Sequence, residues 1–465
     1  MSILDHDLSI INAGLPLIVD GVPASQVTQL DWRPPAFGDA DVARLALTLD
    51  NEVTDAANAV AIAKVHAVKP QLTRVRPAHE MMPGIAEGRT LLHAGPPIEV
   101  QRMCGPMRGA LIGATLFEGW ADTPDDAVRM LDSGEISVSP CHHHGAVGPM
   151  AGVIAPSMPV LVTTDLEDGR QAFASLNEGL GKVLRFGAYD SEVLTRLTWM
   201  RDVLGPVLDR TLENYGPIDV TSLIGQALSM GDEGHNRNVA ATSLLARRLA
   251  PTIAELEPNA DSIAVLAFLA GNDHFALNIS MAAAKLALDA AIGIKNSTLV
   301  TAMSRNGVEF GLRVAGSGTE WFTTPVGPAD GLFFPGYGQE DANPDLGDSA
   351  ITETLGLGGF AMAASPAITQ FVGGTPNDAL AATRSMRRIT LGPHPAYPLP
   401  PLNFAGAPSG IDVRKVLDTG VLPLINTGIA HREAGVGQIG AGIVTAPSEV
   451  FLKAARFLAE MRGTV

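Results

Sequence analysis

Three observations predict a mixed α+β chain built from more than one unit. Short apolar strands ending in glycine alternate with helical stretches through roughly the first 185 residues. From Ser191 to Ala291 apolar residues recur at helical spacing, as in Leu245, Leu249 and Ile253. Beyond 300 the period falls to two: Val308, Phe310, Leu312 and Val314 alternate with Glu309, Gly311 and Arg313, the pattern of a half-buried strand. The reading is an α/β N-terminal unit over 1–188, a helical middle subdomain over 189–292 and an α+β C-terminal unit over 293–465. A length of 465 residues agrees, because single hydrophobic cores stop growing well below it.

The elements follow in order. "LSIINAG" (8–14) and "VTQLDW" (27–32) read as strands, and "LPLIVDGVPASQ" between them as a crossover helix shortened by Pro23. "RPPAFGD" (33–39) is a proline-rich loop whose Asp39 caps an alanine-rich helix running to about Ala67. "RTLLHAG" (89–95) is a strand. "GALIGATLFEGWA" is helical, and so is "TPDDAVRMLDSG", with Thr123 as its N-cap and Gly134 as its stop. "ISVSP" and "MPVLVTTD" are strands. Leu277, Met281 and Leu288 mark one face of a later helix. Asn306-Gly307 supplies a positive-φ pair for a hairpin turn before "VEFGLRV". "GDSAITETLGLGGFAMAAS" (347–365) reads as a helix start capped by Asp348 or Ser349.

Composition excludes some functions. The net charge of −17 argues against nucleic acid or an anionic membrane as the main partner, so an anionic ligand needs a local cluster of positive groups. Two cysteines form no disulfide framework. The N-terminus lacks a basic n-region and no run of 18 apolar residues occurs, so a cytoplasmic chain is expected.

Five glycine-dense polar stretches carry candidate chemistry. In "CHHHG", Cys141, His142, His143 and His144 leave three readings open: a metal site, a thiolate with its base, or a polar loop that bonds a ligand or buried carbonyls. The first lacks partner ligands at a zinc spacing, so no metal is expected. "AGVGQIGAG" (434–442) matches a dinucleotide fingerprint literally, but a β-branched run follows where a helix should. No cofactor is expected; the exposed N–H groups there serve either an anion or tight packing. "NEGLGKVLRFG" (177–187) sets Lys182 and Arg185 among glycines, as an anion clamp or as two solvated charges. "MGDEGHNRN" (230–238) is either an acid–base cluster or a capping segment. "GQEDANPDLGDSAITET" (338–354) offers carboxylates to a cation or a helix start to an anion. Together they point to one composite site for a small polar ligand.

Long ordered motifs then carry a resemblance. "LLHAGPP", "LFEGWA", "PCHH" with "AVGPMAG", "LNEGLGKVLRFGAY", "WMRDVLGPVL", "MGDE" followed by "RN", "DANPDLGDSAITET" and "PLINTGIAHREAGVGQIGAG" resemble the YlbE-like/YahG-like family, from about Arg89 to about Pro447. That family includes the large subunit of oxamate carbamoyltransferase. The first ~45 residues, with "LDWRPPAFGD", resemble the longer YahG-like branch. The resemblance implies carbamoyl transfer in nitrogen catabolism, between a ureido acid or oxamate and phosphate or carbamoyl phosphate. It also implies partner subunits, as a heteromeric complex or homo-oligomer. A ureido-acid hydrolase and a non-catalytic scaffold subunit are the rival readings. The catalytic candidates are His142, His143 and Cys141. The substrate-binding candidates are His93, Gly95, Asn177, Glu178, Lys182, Arg185, Asp348, Ser349, Asn426, Thr427, His431 and Gln438. The loops around 93–96, 140–149, 177–185, 345–352 and 426–440 are expected to converge, because backbone so rich in glycine needs its polar groups satisfied by one another or by a ligand.

Overall fold

The computed structural model of the chain describes residues 9–13, 16–30, 36–82, 84–85, 88–256 and 259–461. It is a mixed α+β architecture with several small open sheets. The ends of the first two expected strands at 8, 14, 31 and 32, and residues 33–35 of the proline-rich loop, lie outside those residues.

Ile10–Ala13 and Val27–Leu30 pair in parallel. The expected crossover helix between them is instead two 3₁₀ turns, Pro16–Val19 and Ala24–Gln26, with Gly21 at φ +92° and Pro23 breaking any longer run. Asp39 caps as expected, accepting from the Asp41 N–H. The helix does not run on to Ala67 unbroken. Asn51 caps a second helix, so Ala40–Leu49 and Glu52–Ala67 are separate. Thr123 and Gly134 bound Pro124–Ser133 as read.

The largest sheet has five strands in the order Ile218–Asp219, Pro70–Pro77, Pro159–Asp165, Gln171–Ser175, Ala146–Val147. A three-stranded sheet sets Thr90–His93 between Ser137–Pro140 and Val153–Ile154. The helical stretch follows, from Ser191–Trp199 to Phe275–Asp289. Residues 275–288 are buried on every side, not on the one face that the periodicity marks. This helix packs on Pro159–Asp165 and Gln171–Ser175 and is the centre of the core. A helix buried all round needs no polar face, which is why alanine fills it. No single described helix is long and apolar enough to cross a membrane.

In the third segment, Val300–Asn306 and Glu309–Val314 form the expected hairpin inside a four-stranded sheet. The turn works differently from the reading. Only Gly307 has positive φ, at +80°, while the Asn306 side chain accepts from the Val308 and Glu309 N–H groups. The second strand is buried on both faces, so Arg313 does not face solvent. The helix expected from 347 shrinks to Ile351–Leu355, because Gly356 turns the chain at φ +123°. Neither Asp348 nor Ser349 caps it. Leu424–Ala430, Gln438–Thr445 and Asp330–Phe333 make a last antiparallel sheet.

One apolar cluster joins Val65 and Leu161 to Leu245 and Leu277 and on to Leu299 and Leu355. It crosses both seams of the three-part division.

Candidate functional site

The turn at Asp348 ties distant segments together. It accepts from the Gly95 N–H at 2.7 Å, the Gly148 N–H at 2.9 Å and the Ser304 hydroxyl at 2.5 Å. His142 Nε2 lies 3.3 Å from the same carboxylate, without the angle of a hydrogen bond. Burial pushes the Asp348 carboxyl up, but His142, Ser304 and Gly95 together outweigh it and hold it below its ordinary value. Gly95 must be glycine here: φ is +95° and a Cβ would sit 2.5 Å from that of Asn306. Beside it, buried Arg305 binds Asp345 at 2.6 Å and reaches the Thr427 hydroxyl, which itself donates to Asp345 at 2.8 Å.

Next to this knot opens a cavity of about 680 Å³. Its wall takes residues from segments far apart in sequence: Pro149, Arg185, His235 to Asn238, His274, Ser349 and Gln438 among them. Arg185 is buried, and its Nε and Nη2 both donate to the Gly179 carbonyl, leaving Nη1 without a partner among the described residues. Burial pushes this guanidinium down to about 10, the nearby Glu178 working against it. Arg237 uses its Nε on the Gly231 carbonyl and stands 3.8 Å from Asp232, so its two terminal nitrogens remain available. The Ser349 hydroxyl and the Asn238 carbonyl oxygen are buried with no partner among the described residues.

His235 is the cavity's oriented imidazole. Its Nδ1 lies 2.8 Å from Oε1 of buried Glu353, which also accepts from the Gly359 and Asn426 N–H groups. With Nδ1 engaged by Glu353, Nε2 is left without a partner among the described residues. Behind it Glu233 accepts from the His235, Asn236 and Arg237 N–H groups. Burial pushes Glu233 up to about 7. Burial, with Arg185 and His235 adding to it, brings His274 down to about 4, so its ring is neutral at physiological pH.

The sequence candidates divide into three groups. Arg185, Ser349 and Gln438 line the cavity. Asp348, Gly95, Thr427 and Asn426 build the network behind it. Others serve the fold locally. Glu178 accepts from the Leu184 and Arg185 N–H groups, and Asn177 bonds Asn278 and Gly179. Lys182 is exposed and pairs with Asp190. His93 holds the Ala94 carbonyl, and the His431 Nδ1 accepts from the Glu433 N–H. Cys141 is fully buried, and burial holds its thiol well above the usual range. His142 and His143 line a different cavity. The segments 149, 180–185, 349 and 428–441 do converge, while 93–96 stands behind them, tied in by Asp348 and by the Ala94 N–H on the Gly152 carbonyl.

Sequence reasoning missed His274, and it named Glu353 only within the carboxylate run 338–354, not as the partner of His235. "MGDEGHNRN" holds both readings at once: Asp232 accepts from Ala240 and Ala241 at the next helix start, while His235, Asn236, Arg237 and Asn238 line the cavity. Among the described residues no three His, Cys, Asp or Glu side chains are placed to hold a metal ion. The glycine pattern at 435–440 opens the strand Gln438–Thr445, not a helix.

The comparisons agree with one another. The family described as oxamate carbamoyltransferase subunit AllG matches residues 136–349. The chain is 51% identical to the oxamate carbamoyltransferase subunit AllG of Escherichia coli (strain K12), over 88% of its own length and 98% of that protein. It is 46% identical to the uncharacterized protein YahG of the same organism, over 97% of both. A crystal structure of a conserved protein of unknown function from Enterococcus faecalis V583 superposes with a TM-score of 0.86 at 50% identity, covering 88% of this chain and 98% of that one. With half its aligned residues shared along nearly the whole of a curated relative, the chain belongs to the family of the oxamate carbamoyltransferase subunit AllG.

Proposed function

We propose that the chain is the substrate-binding subunit of a carbamoyltransferase, exchanging a carbamoyl group between a ureido acid of the oxalurate type and phosphate. The observation that carries the reading is the 680 Å³ cavity, where unused Arg185 and Arg237 nitrogens stand beside an oriented imidazole in a chain of net charge −17. Two anions must meet for this reaction, and fixed cationic donors offset their repulsion.

The step balances without a cofactor. A phosphate oxygen attacks the ureido carbon, and the bond from that carbon to the acyl-bearing nitrogen breaks. The products are carbamoyl phosphate and the free amide, oxamate in the simplest case. The proton lost by hydrogen phosphate is the one the leaving nitrogen needs. His235 Nε2 takes it from the first and returns it to the second, with Glu353 stabilising the imidazolium between. Ser349 and Asn238 stand in the same wall, each with an enclosed oxygen that has no partner among the described residues, a hydroxyl and an acceptor of the kind a carbamoyl NH₂–C=O would use.

The test is turnover by the chain assembled with its partner subunits, following carbamoyl phosphate with and without inorganic phosphate. Turnover that needs phosphate, with KM raised roughly tenfold or more in Arg237→Gln, is expected. Phosphate-independent release of ammonia would make it a hydrolase. Unchanged kinetics in Arg237→Gln would remove the cavity from the reaction.

A further inference from the structure

A buried guanidinium normally has a carboxylate or several carbonyls around it, because an unpaired buried charge is strongly destabilising. Arg313 has neither. It is 2% exposed on the strand Glu309–Val314, and it has no hydrogen bond or ion pair among the described residues. Its Nε is fully enclosed. Its close neighbour is the ring of Trp321, 5.3 Å away.

Arg313 lines a second cavity of about 620 Å³, which shares no lining residue with the first. Lys285, His142, His143 and Trp321 complete its cationic and aromatic wall. Lys285 is 1% exposed and bonded to Asp289 at 2.7 Å, so that pair is neutral. Glu320 stands at the exposed rim, and Asp348 lies behind His142 with its own donors. Arg313 is therefore the charge these carboxylates leave unmatched. The imidazoles add donors. Trp321 Nε1 donates to His143 Nε2 at 3.2 Å, which puts the His143 proton on Nδ1. Both His142 nitrogens are buried without a hydrogen bond. Burial lowers His142 against the pull of Asp348, and it brings His143 down to about 4, so the His143 ring is neutral.

We propose that this cavity is a second anion site, which takes a small oxyanion on Arg313 with the His142 and His143 imidazoles as neighbouring hydrogen-bonding groups. A planar carboxylate and a tetrahedral phosphate share the chemistry, since a guanidinium fork binds either through two N–H groups. The site is separate from the transfer cavity but joined to it by consecutive residues: Asp348 lies against His142, and Ser349 lines the other wall. Occupancy at Arg313 thus bears on the turn that shapes the first cavity.

The experiment follows melting temperature and Trp321 emission of the full chain during titration with inorganic phosphate, and separately with oxalate. Wild type, Arg313→Gln, Arg313→Lys and Arg237→Gln are compared, with Trp321→Phe to assign the emission. At least one anion should raise the melting temperature and change Trp321 emission in wild type and in Arg237→Gln. The emission response should weaken by roughly tenfold or more in Arg313→Gln, and less in Arg313→Lys. Without anion, Arg313→Gln should melt no lower than wild type, because it removes an unmatched buried charge; a purely structural arginine would lower it. A phosphate response alone assigns the site to phosphate, and an oxalate response alone to carboxylate. No Trp321 response to either, or wild-type binding in a folded Arg313→Gln, overturns the proposal. So does a response lost equally in Arg237→Gln, since the two cavities would then be one site.

Discussion

His235 stands or falls on a single hydrogen bond. With Nδ1 held by Glu353, its Nε2 is the atom available for proton transfer. His235→Gln should lower carbamoyl transfer by about 10²–10⁴ while the chain still folds, measured as kcat in the assembled complex. Loss of less than tenfold would take the proton step away from this residue. Glu233 behind it makes a pH prediction. Burial raises its folded pKa to about 7 from an ordinary value near 4.5, so the folded chain holds a proton that the unfolded chain has lost. The stability this adds is complete below about pH 4.5 and is lost as pH rises through about 7. Glutamine mimics the protonated form, so the advantage of wild type over Glu233→Gln should shrink from pH 5 to pH 8, by on the order of 2–3 kcal/mol. A difference that stays flat or grows with pH would contradict that placement. At this scale the sequence marked "MGDEGHNRN" but could not pair His235 with Glu353, 118 residues away. Arg313 was hidden for another reason. Its alternation with Val308, Phe310 and Leu312 describes a strand with one wet face, and only the burial of both faces reveals a trapped charge.

The element that organises both cavities is the turn Leu346–Ser349, not a helix. Asp348 spends its oxygens on Gly95, Gly148 and Ser304, which lie in three separate segments. Gly347 makes this possible with φ +114°, and a Cβ there would lie 2.5 Å from the Met150 backbone nitrogen. Gly347→Ala should therefore cost about 2–4 kcal/mol and impair anion binding, read by denaturant midpoint and by titration. A variant with wild-type stability would show that the turn is not tightly held. Asp348→Asn carries the opposite pH signature to Glu233. The depressed folded carboxyl supplies stability present above its unfolded pKa and lost as pH falls through the folded one. The variant's deficit should narrow on acidification toward pH 3. Caps were legible because they are local, Asp39 and Thr123 bonding N–H groups two and three residues on, and the strand Thr90–His93 was legible from its short apolar run although its partners are distant. The helix over 347–365 was not, since Gly356 and the Asp348 contacts override the capping pattern.

Across the whole molecule, one core spans segments that differ in sequence texture. The helix Phe275–Asp289 fills the face of strands contributed by the first 188 residues, and Ile218–Asp219 extends their sheet. The three-unit division is therefore proposed as a division of sequence, with folding shared. Residues 1–188 expressed alone should show no cooperative melt, because their strands Pro159–Asp165 and Gln171–Ser175 would expose apolar surface now covered by that helix. A sharp two-state transition in the fragment would make it an autonomous domain. The proposed function sets the chain's net negative charge of −17 against the cationic groups of the cavity, so that anions would enter only where Arg185 and Arg237 stand. The most direct measurement is a crystal structure of the chain grown with carbamoyl phosphate. The account predicts the ligand in the 680 Å³ cavity, its phosphate on Arg237 or Arg185 and its carbamoyl group near Ser349 and His235. An ordered ligand elsewhere, with that cavity empty, would contradict it.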